Sequence, residues 1–304
     1  MAGLAVQVQD LHKSYGPVQA VRGISFTVAE GEVFALLGPN GAGKTTTVEI
    51  LEGFRRRDGG SVAVLGFDPA SGDRRLKDQM GIVLQTTGVD PYLTVAETVD
   101  MFRGYYPSPR GRDEVIRLVG LEDKATTRVT RLSGGQKRRL DVAIALAGDP
   151  RVLFLDEPTT GFDPGAKRNA WDVIKGLAGL GKTIFLTSHS MDEVQFLADR
   201  VVIIAAGKIV AEGTPESLMG RQQADTVIRF RSAKSLPEAL RAEAHLDGDA
   251  AELVTRDPTT TLYELTSWAV RNKVVLEGLQ VTRPSLEDVY LEITKEAETA
   301  GEPA

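Results

Sequence analysis

The sequence contains no cysteine, no long apolar segment and no excess of positive charge. Without cysteine, a disulfide framework and a thiolate metal site are excluded, which suits a reducing compartment. The start of the chain, Met1 to Asp10, has no basic segment followed by an apolar one, so we expect no secretory signal peptide. The longest apolar runs, such as Val201 to Ala206, fall far short of the roughly 20 residues that span a bilayer. We therefore expect that the chain does not itself cross a membrane.

The charge balance argues against a general nucleic-acid-binding protein. Lysine and arginine total 36, aspartate and glutamate total 42, and the net charge is −6, whereas nucleic-acid binders are usually basic. Basic clusters remain at Arg55–Arg57 and Lys137–Arg139; such clusters are usually solvated surface, with contact to acidic lipid headgroups or a partner as the alternative. At 304 residues, the chain is long enough for two domains whose cores need no covalent cross-links.

A glycine-rich motif near the N-terminus predicts a phosphate-binding site. Residues 38–45 read Gly-Pro-Asn-Gly-Ala-Gly-Lys-Thr and match G-x-x-x-x-G-K-[ST] at every fixed position. The motif lies between a short apolar strand, Val33–Leu37, and the opening of a helix, Thr45–Leu51, which is the context that it needs. Its glycines let backbone N–H groups point at an anion, and the helix N-terminus adds its positive dipole end. We expect Lys44 to reach the β- and γ-phosphates of a nucleotide and the Thr45 hydroxyl to hold Mg²⁺; a glycine-rich turn with a solvated lysine is the alternative.

Apolar strand segments alternate with helical segments up to about residue 220. This pattern predicts an α/β fold with a mainly parallel sheet covered by helices. The predicted strands are Val33–Leu37, Val62–Leu65, Gly81–Leu84, Val152–Leu155, Thr183–Thr187 and Val201–Ala205. The stretch from about Thr87 to Arg131 differs, because it combines helical segments with the turn Tyr106–Arg110. We expect it to be a helical arm inserted into the sheet domain, within a helical subdomain of about residues 87–147.

The pattern of strand and helix segments changes again after about Asp225, which predicts a small α+β appendage. Short strands are predicted at Thr226–Arg231, Leu253–Thr255 and Val275–Arg283, and helices at Leu236–Ala244 and Thr260–Asn272. Residues 296–304 are polar and rich in small residues, so a disordered tail is expected there. The expected division is a nucleotide-binding domain over residues 1–220, a C-terminal regulatory or dimerisation domain over 225–295, and the tail.

A second nucleotide-binding signal lies at the end of another apolar strand. Val152–Leu155 is followed directly by Asp156 and Glu157. P-loop enzymes hold Mg²⁺ with an acid at the C-terminal end of an apolar strand, so we expect Asp156 to be a metal ligand and Glu157 to polarise the attacking water. Taken alone, such an acid pair is more often a solvated strand end; the phosphate-binding motif upstream favours the functional interpretation.

Residues 132–136, Leu-Ser-Gly-Gly-Gln, precede a predicted helix that runs from Lys137 to about Ala147. Ser133 is a typical helix N-cap residue, and the two glycines leave N–H groups open to an anion, so these residues alone indicate a second phosphate contact. The order of the motifs, a Walker A sequence, then Leu-Ser-Gly-Gly-Gln, then a strand ending in Asp-Glu, resembles the ATP-binding subunits of ABC transporters. The resemblance covers essentially the whole chain and implies a P-loop NTPase core.

The resemblance also assigns roles outside these three motifs. Tyr15 matches the aromatic residue that stacks on adenine, with a half-buried structural tyrosine as the alternative. Gln85 matches the Q-loop glutamine, which touches Mg²⁺ or water in the family, and His189 matches the switch histidine that contacts the γ-phosphate. Asp163 matches the D-loop aspartate, although Phe162 stands where leucine is more usual.

The resemblance therefore implies an ATPase that binds ATP and Mg²⁺. Lys44, Gln85, Glu157 and His189 are the expected catalytic residues, and Thr45, Gln85 and Asp156 are the expected metal ligands. Nucleotide contacts are expected from Tyr15, Gly38, Pro39, Asn40, Gly41, Ala42, Gly43, Lys44, Thr45, Thr46, Ser133, Gly134, Gly135, Gln136 and Asp163. In the family, the signature of one subunit caps the nucleotide held by the other, so residues 133–136 and Asp163 are expected to act across a two-fold pair.

The C-terminal segment Arg283–Leu291 is similar to the closing motif of type-two ABC exporters, including the daunorubicin and multidrug-resistance kind. This implies an ATPase subunit that energises export of a drug, antibiotic, lipid or polysaccharide through separate transmembrane permease subunits. The second ATP-binding subunit is expected to be an identical chain, and no nucleic acid is expected as a partner. The expected location is cytoplasmic, peripheral on the inner face of the cell membrane. The alternatives are a soluble ABC ATPase that acts as a mechanical or regulatory module, and an importer ATPase, against which the C-terminal motif argues.

Overall fold

The structure is a computed structural model that describes residues 3–83, 88–221, 226–231, 236, 240 and 244–282. The chain divides into two compact units, the first built on residues up to Pro215 and the second on Glu216–Ile293. Within the described residues, no helix has both the length and the apolar composition that crossing a bilayer requires.

The first unit contains two sheets and the helices around them. Its strands are β1 Leu4–Tyr15, β2 Val18–Ala29, β3 Val33–Leu37, β4 Gly59–Val64, β5 Met80–Val83, β6 Val152–Asp156, β7 Thr183–Ser188, β8 Arg200–Ala205 and β9 Lys208–Gly213. Its helices are α1 Lys44–Leu51, α2 Arg74–Lys77, α3 Val95–Arg103, α4 Arg112–Leu118, α5 Gly134–Leu146, α6 Pro164–Gly179 and α7 Met191–Leu197, with α8 Pro215–Arg221 at the division between the units. The strand order is β2-β1-β4 in an antiparallel sheet and β5-β6-β7-β3-β8-β9 in a larger sheet.

The larger sheet is parallel except for the pair β8 and β9. The predicted α/β fold with a mainly parallel sheet is therefore confirmed. Every residue of β3 and β7 is buried, as expected for central parallel strands covered on both faces. Phe34 and Phe185 meet at a centroid distance of 5.1 Å, and Phe26 of the antiparallel sheet stacks on Phe34 at 5.2 Å, so the two sheets share one core.

The strand order brings three motif segments to one edge of the larger sheet. β7 lies between β3 and β6, and the paired residues at the strand ends are Leu37 with Ser188 and Asp156 with Thr187. Because parallel strands leave the sheet at the same edge, the loops that follow Leu37, Asp156 and Ser188 are neighbours. These loops carry the glycine-rich motif, Glu157 and His189.

Two of the helices between β5 and β6, α3 and α5, begin with side-chain caps. At α3, Thr94 Oγ1 accepts a hydrogen bond from the N–H of Glu97 at 3.2 Å, and the Glu97 carboxylate accepts one from the N–H of Thr94 at 2.8 Å. At α5, Ser133 and Gln136 form the same reciprocal pair, so this helix begins at Gly134, before the predicted start at Lys137.

The second unit is a small antiparallel sheet packed against a helix. Its strands are β10 Thr226–Arg231, β11 Ala244–Asp247, β12 Ala250–Thr255 and β13 Glu277–Thr282, and its helix is α9 Pro258–Arg271. The strand order is β11-β12-β10-β13, and the core includes Ile228, Phe230, Leu253 and Leu265. The predicted helix Leu236–Ala244 is wrong at its end, because Ala244 pairs with Leu253 as the first residue of β11. The motif Arg283–Leu291 and the tail 296–304 lie outside the described residues.

Candidate active site

The loop between β3 and α1 has the backbone shape that its glycines predict. Gly43 is the N-cap of α1 with φ +104°, and an added Cβ would lie 2.4 Å from the carbonyl oxygen of Ala20. At Gly38, an added Cβ would lie 2.3 Å from the carbonyl oxygen of Ile204. Any larger residue at either position therefore displaces the backbone of the loop.

Lys44 lies folded against its own loop. Its ammonium group donates hydrogen bonds to the carbonyl oxygens of Gly38 at 2.7 Å and Pro39 at 3.0 Å, and it lies 3.9 Å from Glu157 Oε1. Burial lowers the pKa of Lys44, and the carboxylates of Glu157 and Asp156 oppose that shift. The lysine therefore places a buried positive charge where the loop meets the acid pair.

Tyr15 and the glycine-rich loop line one cavity of about 510 Å³. The lining residues are Tyr15, Ala20, Asn40, Gly41, Gly43, Lys44, Thr45, Thr46 and Glu157. The side chain of Tyr15 is 40% exposed, and the guanidinium carbon of Arg55 lies 5.1 Å from the centroid of its ring. The cavity thus joins an exposed aromatic ring, a glycine-rich backbone, a lysine and a carboxylate, which is the set of groups that a nucleoside triphosphate needs.

Thr187 ties Asp156 and Glu157 to the neighbouring strand. Its hydroxyl donates a 2.5 Å hydrogen bond to Oδ1 of the buried Asp156 and accepts one of 3.1 Å from the N–H of Glu157. Glu157 has φ +46°, a left-handed conformation that is uncommon outside glycine. Its N–H also donates to the carbonyl oxygen of Thr187 at 3.2 Å, so the strained backbone is supported by strand β7.

The carboxylate of Glu157 meets side chains from two other segments and one from its own. Oε1 lies 3.3 Å from Nδ1 of His189 and 3.9 Å from the Lys44 ammonium, and Oε2 accepts a hydrogen bond of 3.0 Å from the hydroxyl of Thr160. The side chain of Glu157 is 15% exposed and that of His189 is 50% exposed. A carboxylate held beside an imidazole at the edge of a cavity has the geometry to orient and polarise a water molecule.

The donor set suits Mg²⁺ better than a softer metal. Thr45 and Asp156 supply a hydroxyl and a carboxylate, which are hard oxygen ligands. Gln85, the third predicted ligand, lies outside the described residues. In the described part of the chain, no group of three or more histidine, cysteine or acidic side chains is arranged to hold a metal by itself. A magnesium ion here would therefore complete its shell with phosphate oxygens and water.

The residues predicted to act across a dimer line a different cavity, of about 590 Å³, formed with α5 and α6. Ser133 caps α5 by accepting from the N–H of Gln136 at 3.3 Å, and Asp163 caps α6 by accepting from the N–H of Ala166 at 2.9 Å. A Cβ added to Gly134 would meet no described atom of the chain within 4 Å. Nothing in the described part of this chain therefore requires glycine at that position.

Thr187 and Glu52 are among the residues near the site that were not predicted from the sequence. Thr187 was part of a predicted strand, but its contact with Asp156 joins residues 31 positions apart. Glu52 follows α1 and is 7% exposed; burial, together with the negative charges of Asp156 and Glu49, raises the pKa of Glu52 to about 8. The visible signal was an acidic residue three positions after Glu49, at the end of the helix that follows the phosphate loop.

The sequence matches two family models. The model described as ABC transporter matches residues 21–160, and the model described as ABC transporter domain-containing protein-like, C-terminal domain, matches residues 226–285. The chain is 38% identical to the Nod factor export ATP-binding protein I of Rhizobium sp. (strain N33), over 97% of this chain and 98% of that protein. It is 35% identical to the linearmycin resistance ATP-binding protein LnrL of Bacillus subtilis (strain 168), over 95% and 98%, and 36% identical to the daunorubicin resistance ATP-binding protein DrrA2 of Streptomyces coeruleorubidus, over 97% and 96%.

Solved structures of ATP-binding cassettes share the fold. One is a dimeric structure of the ATP-binding cassette MJ0796 in a post-hydrolysis state bound to ADP and Pi, with a TM-score of 0.61 and 25% identity over 69% of this chain and 98% of that one. Another is cbiO1 from Clostridium perfringens, part of the ABC transporter complex cbiONQ, with a TM-score of 0.63 and 27% identity over 72% and 92%.

Proposed function

The chain belongs to the ATP-binding subunits of ABC transporters, and we propose that it hydrolyses ATP in the cavity beside Lys44 to energise export through separate membrane subunits. The observation that carries this proposal is the cavity itself. Tyr15, the glycine-rich loop and Glu157 line it together, and His189 lies 3.3 Å from the carboxylate of Glu157.

Each group in the cavity has a proposed role in hydrolysis. Residues 38–46, which include Lys44, hold the phosphates, and Tyr15 stacks on adenine. Glu157 orients and polarises the attacking water, and His189 beside it contacts the γ-phosphate. Thr45, Asp156 and Gln85 hold Mg²⁺, which when bound neutralises charge on the phosphates. The protein therefore contributes mainly position and charge, which is what phosphoryl transfer asks of it.

The active site is completed by a second, identical chain in this proposal. Ser133, Gly134, Gly135, Gln136 and Asp163 act on the nucleotide held by the partner copy. Two observations support a surface that acts on another molecule: these residues line their own cavity, and glycine at position 134 serves no described contact in the chain. ATP then favours the closed pair, and hydrolysis with phosphate release favours the open one.

The proposed partners are transmembrane permease subunits, which place the protein in the cytoplasm, peripheral on the inner face of the cell membrane. The substrate class is drug, antibiotic, lipid or polysaccharide, by likeness to relatives named for Nod factor export and for linearmycin and daunorubicin resistance. The proposed domains are an ATP-binding domain over residues 1–220 and a regulatory or dimerisation domain over 225–295. The helical arm before Arg131 docks a cytoplasmic helix of the permease; normal coupling after its exposed residues are scrambled would exclude this docking.

Mixing two defective chains tests the composite site. Lys44→Ala damages the phosphate loop, and Ser133→Arg damages the surface offered to the partner, so each variant alone should lose hydrolysis. A mixed pair contains one site built from the intact loop of one chain and the intact signature of the other. Recovery of ATPase activity on mixing is the expected result. Absence of recovery, with the Ser133→Arg chain still binding ATP, would contradict the proposal.

A further inference from the structure

A buried carboxylate behind the site joins two of its segments. Glu193, on α7, is 2% exposed. Its Oε1 accepts hydrogen bonds from the hydroxyl of Thr159 at 2.7 Å and the indole N–H of Trp171 at 3.1 Å. Its Oε2 accepts a hydrogen bond of 2.6 Å from the hydroxyl of Ser188. All three donors are side chains, and they come from three different segments.

Two of these donors are close in sequence to the proposed catalytic residues. Thr159 lies two residues after Glu157, in the segment that leads to Asp163, and Ser188 directly precedes His189. Thr159 and Ser188 are both buried, at 2% exposure each. One carboxylate thus holds the backbone that carries the water-polarising acid and the backbone that carries the switch histidine.

The neighbouring Arg138 connects the same segment to the signature helix. Arg138, on α5, donates hydrogen bonds to the carbonyl oxygens of Pro158 at 3.1 Å and Asp156 at 3.2 Å. Burial lowers the pKa of Arg138, and the carboxylates of Asp141, Asp156 and Glu193 oppose that shift. The guanidinium is therefore a nearby opposite charge for Glu193.

Stability alone is a weak reason for this arrangement. A buried carboxylate loses its hydration, and replacing buried ionic groups by apolar ones is often neutral or stabilising. A fully satisfied polar network, by contrast, fixes one relative position of the groups that it joins. The residues fixed here lead directly to Glu157 and His189.

We propose that Glu193 is a positioning residue that locks the Glu157 segment and the His189 segment together, so that the two move as one unit during the ATP cycle. The inference rests on the roles proposed above for Glu157 and His189. Thr159 and Ser188 make the two hydrogen bonds of this lock, and Trp171 anchors the carboxylate to α6.

Conservative substitutions that each remove one of these hydrogen bonds test the lock. Thr159→Val and Ser188→Ala each remove one charge-assisted hydrogen bond, and Ser188→Ala also removes the acceptor of the Ser190 N–H. Each should lower kcat by about tenfold with KM changed less than about twofold. Because both break the same connection, the double variant should also lose about tenfold, where independent effects would multiply to about a hundredfold. Trp171→Phe is the matched control, since it removes a donor to the same Oε1; it should lower the Tm and leave kcat unchanged.

The proposal would be overturned by a double variant whose loss in kcat is the product of the two single losses. It would also be overturned by a Trp171→Phe chain that loses as much kcat as Thr159→Val. A second measurement does not depend on hydrolysis. The chain has three histidines, so the ring signals of His189 can be assigned by NMR with His189→Gln. Thr159→Val should shift those signals in the parent chain and leave them unmoved when Ser188→Ala is already present. An equal shift in both backgrounds would overturn the lock. A parent chain that does not hydrolyse ATP would contradict only the proposed function.

Discussion

The hydroxyl of Thr187 donates a hydrogen bond of 2.5 Å to Oδ1 of Asp156, and the same oxygen accepts the N–H of Glu157. One side chain on β7 therefore orients the proposed metal ligand and supports the left-handed backbone of the proposed catalytic glutamate. The three residues are neighbours because β6 and β7 pair in parallel with Asp156 opposite Thr187.

Thr187→Val keeps the shape of the side chain and removes both hydrogen bonds. Loss of a buried bond to a charged group should lower the free energy of unfolding by about 1.5–3 kcal/mol, and hydrolysis should fall because Asp156 and Glu157 lose their orientation. Thr183→Val, at the other end of β7, is the control, since Thr183 accepts a hydrogen bond from the N–H of Gly31 away from the site. Denaturant titration and ATPase assays check both variants. If Thr183→Val lowers kcat as far as Thr187→Val does, the effect is one of stability only.

Strong local patterns made the centre of the fold predictable from the sequence. The strand β3 and the loop after it were predicted because a buried parallel strand is a short apolar run and the phosphate loop has fixed glycines. The antiparallel strands β1 and β2 were not predicted. Register shifts interrupt the pairing, and the alternation of buried and exposed residues that signals a half-buried strand is irregular in β1. In β2 the alternation holds from Ile24 to Val28, and that signal was missed.

The motif residues were named from the sequence, but the residues that support them were not. Thr187 and Glu193 act through contacts between distant residues that depend on the order of strands in the sheet. Thr160 contacts Glu157 three residues away, in the turn after β6. Hydroxyl and carboxylate residues are common near strand ends, so nothing local distinguishes these three. Only the packing of β6, β7 and α7 shows which partners they have.

Glycine at position 134 is expected to matter only in the pair. Gly134→Ala should leave the Tm and the ATP affinity of the isolated chain unchanged, because the new Cβ meets no described atom within 4 Å. ATP-dependent pairing and hydrolysis should fall. Gly43→Ala is the contrast, since its Cβ would lie 2.4 Å from the carbonyl oxygen of Ala20 and should abolish ATP binding by the single chain. Weakened ATP binding by isolated Gly134→Ala would place residue 134 in the site of its own chain.

Tyr15 is expected to bind the base and not the phosphates. Tyr15→Ala should weaken ATP binding by about 1–3 kcal/mol, the usual contribution of an aromatic ring stacked on a base, and Tyr15→Phe should keep most of the affinity. Calorimetry with inorganic tripolyphosphate provides the control, because that ligand has no adenine. An equal loss for ATP and tripolyphosphate would mean that Tyr15 only supports the loop through Thr46, whose hydroxyl lies 3.5 Å from that of Tyr15.

Glu52 should make the stability of the protein without nucleotide and metal depend on pH. Its pKa is raised from 4.5 to about 8 in the folded chain, mainly by burial. Between these values the folded chain binds more protons than the unfolded one, so stability is greatest below pH 4.5 for this group and decreases as pH rises to about 8, by at most about 1.4 kcal/mol per unit. Glu52→Gln should therefore match the parent near pH 5 and exceed its Tm near pH 8. A constant difference between the two chains across this range would contradict the assignment.

The central claim is that ATP binds between two copies of the chain, and the size of Glu157→Gln in solution tests it most directly. This variant keeps the cavity and removes the group proposed to polarise water, so bound ATP should persist and the closed pair should accumulate. Light scattering after gel filtration, with and without ATP and Mg²⁺, measures the molar mass. The account predicts a monomer that becomes a dimer with ATP, and a monomer again when Ser133→Arg is added. A Glu157→Gln chain that binds ATP and stays monomeric would contradict it.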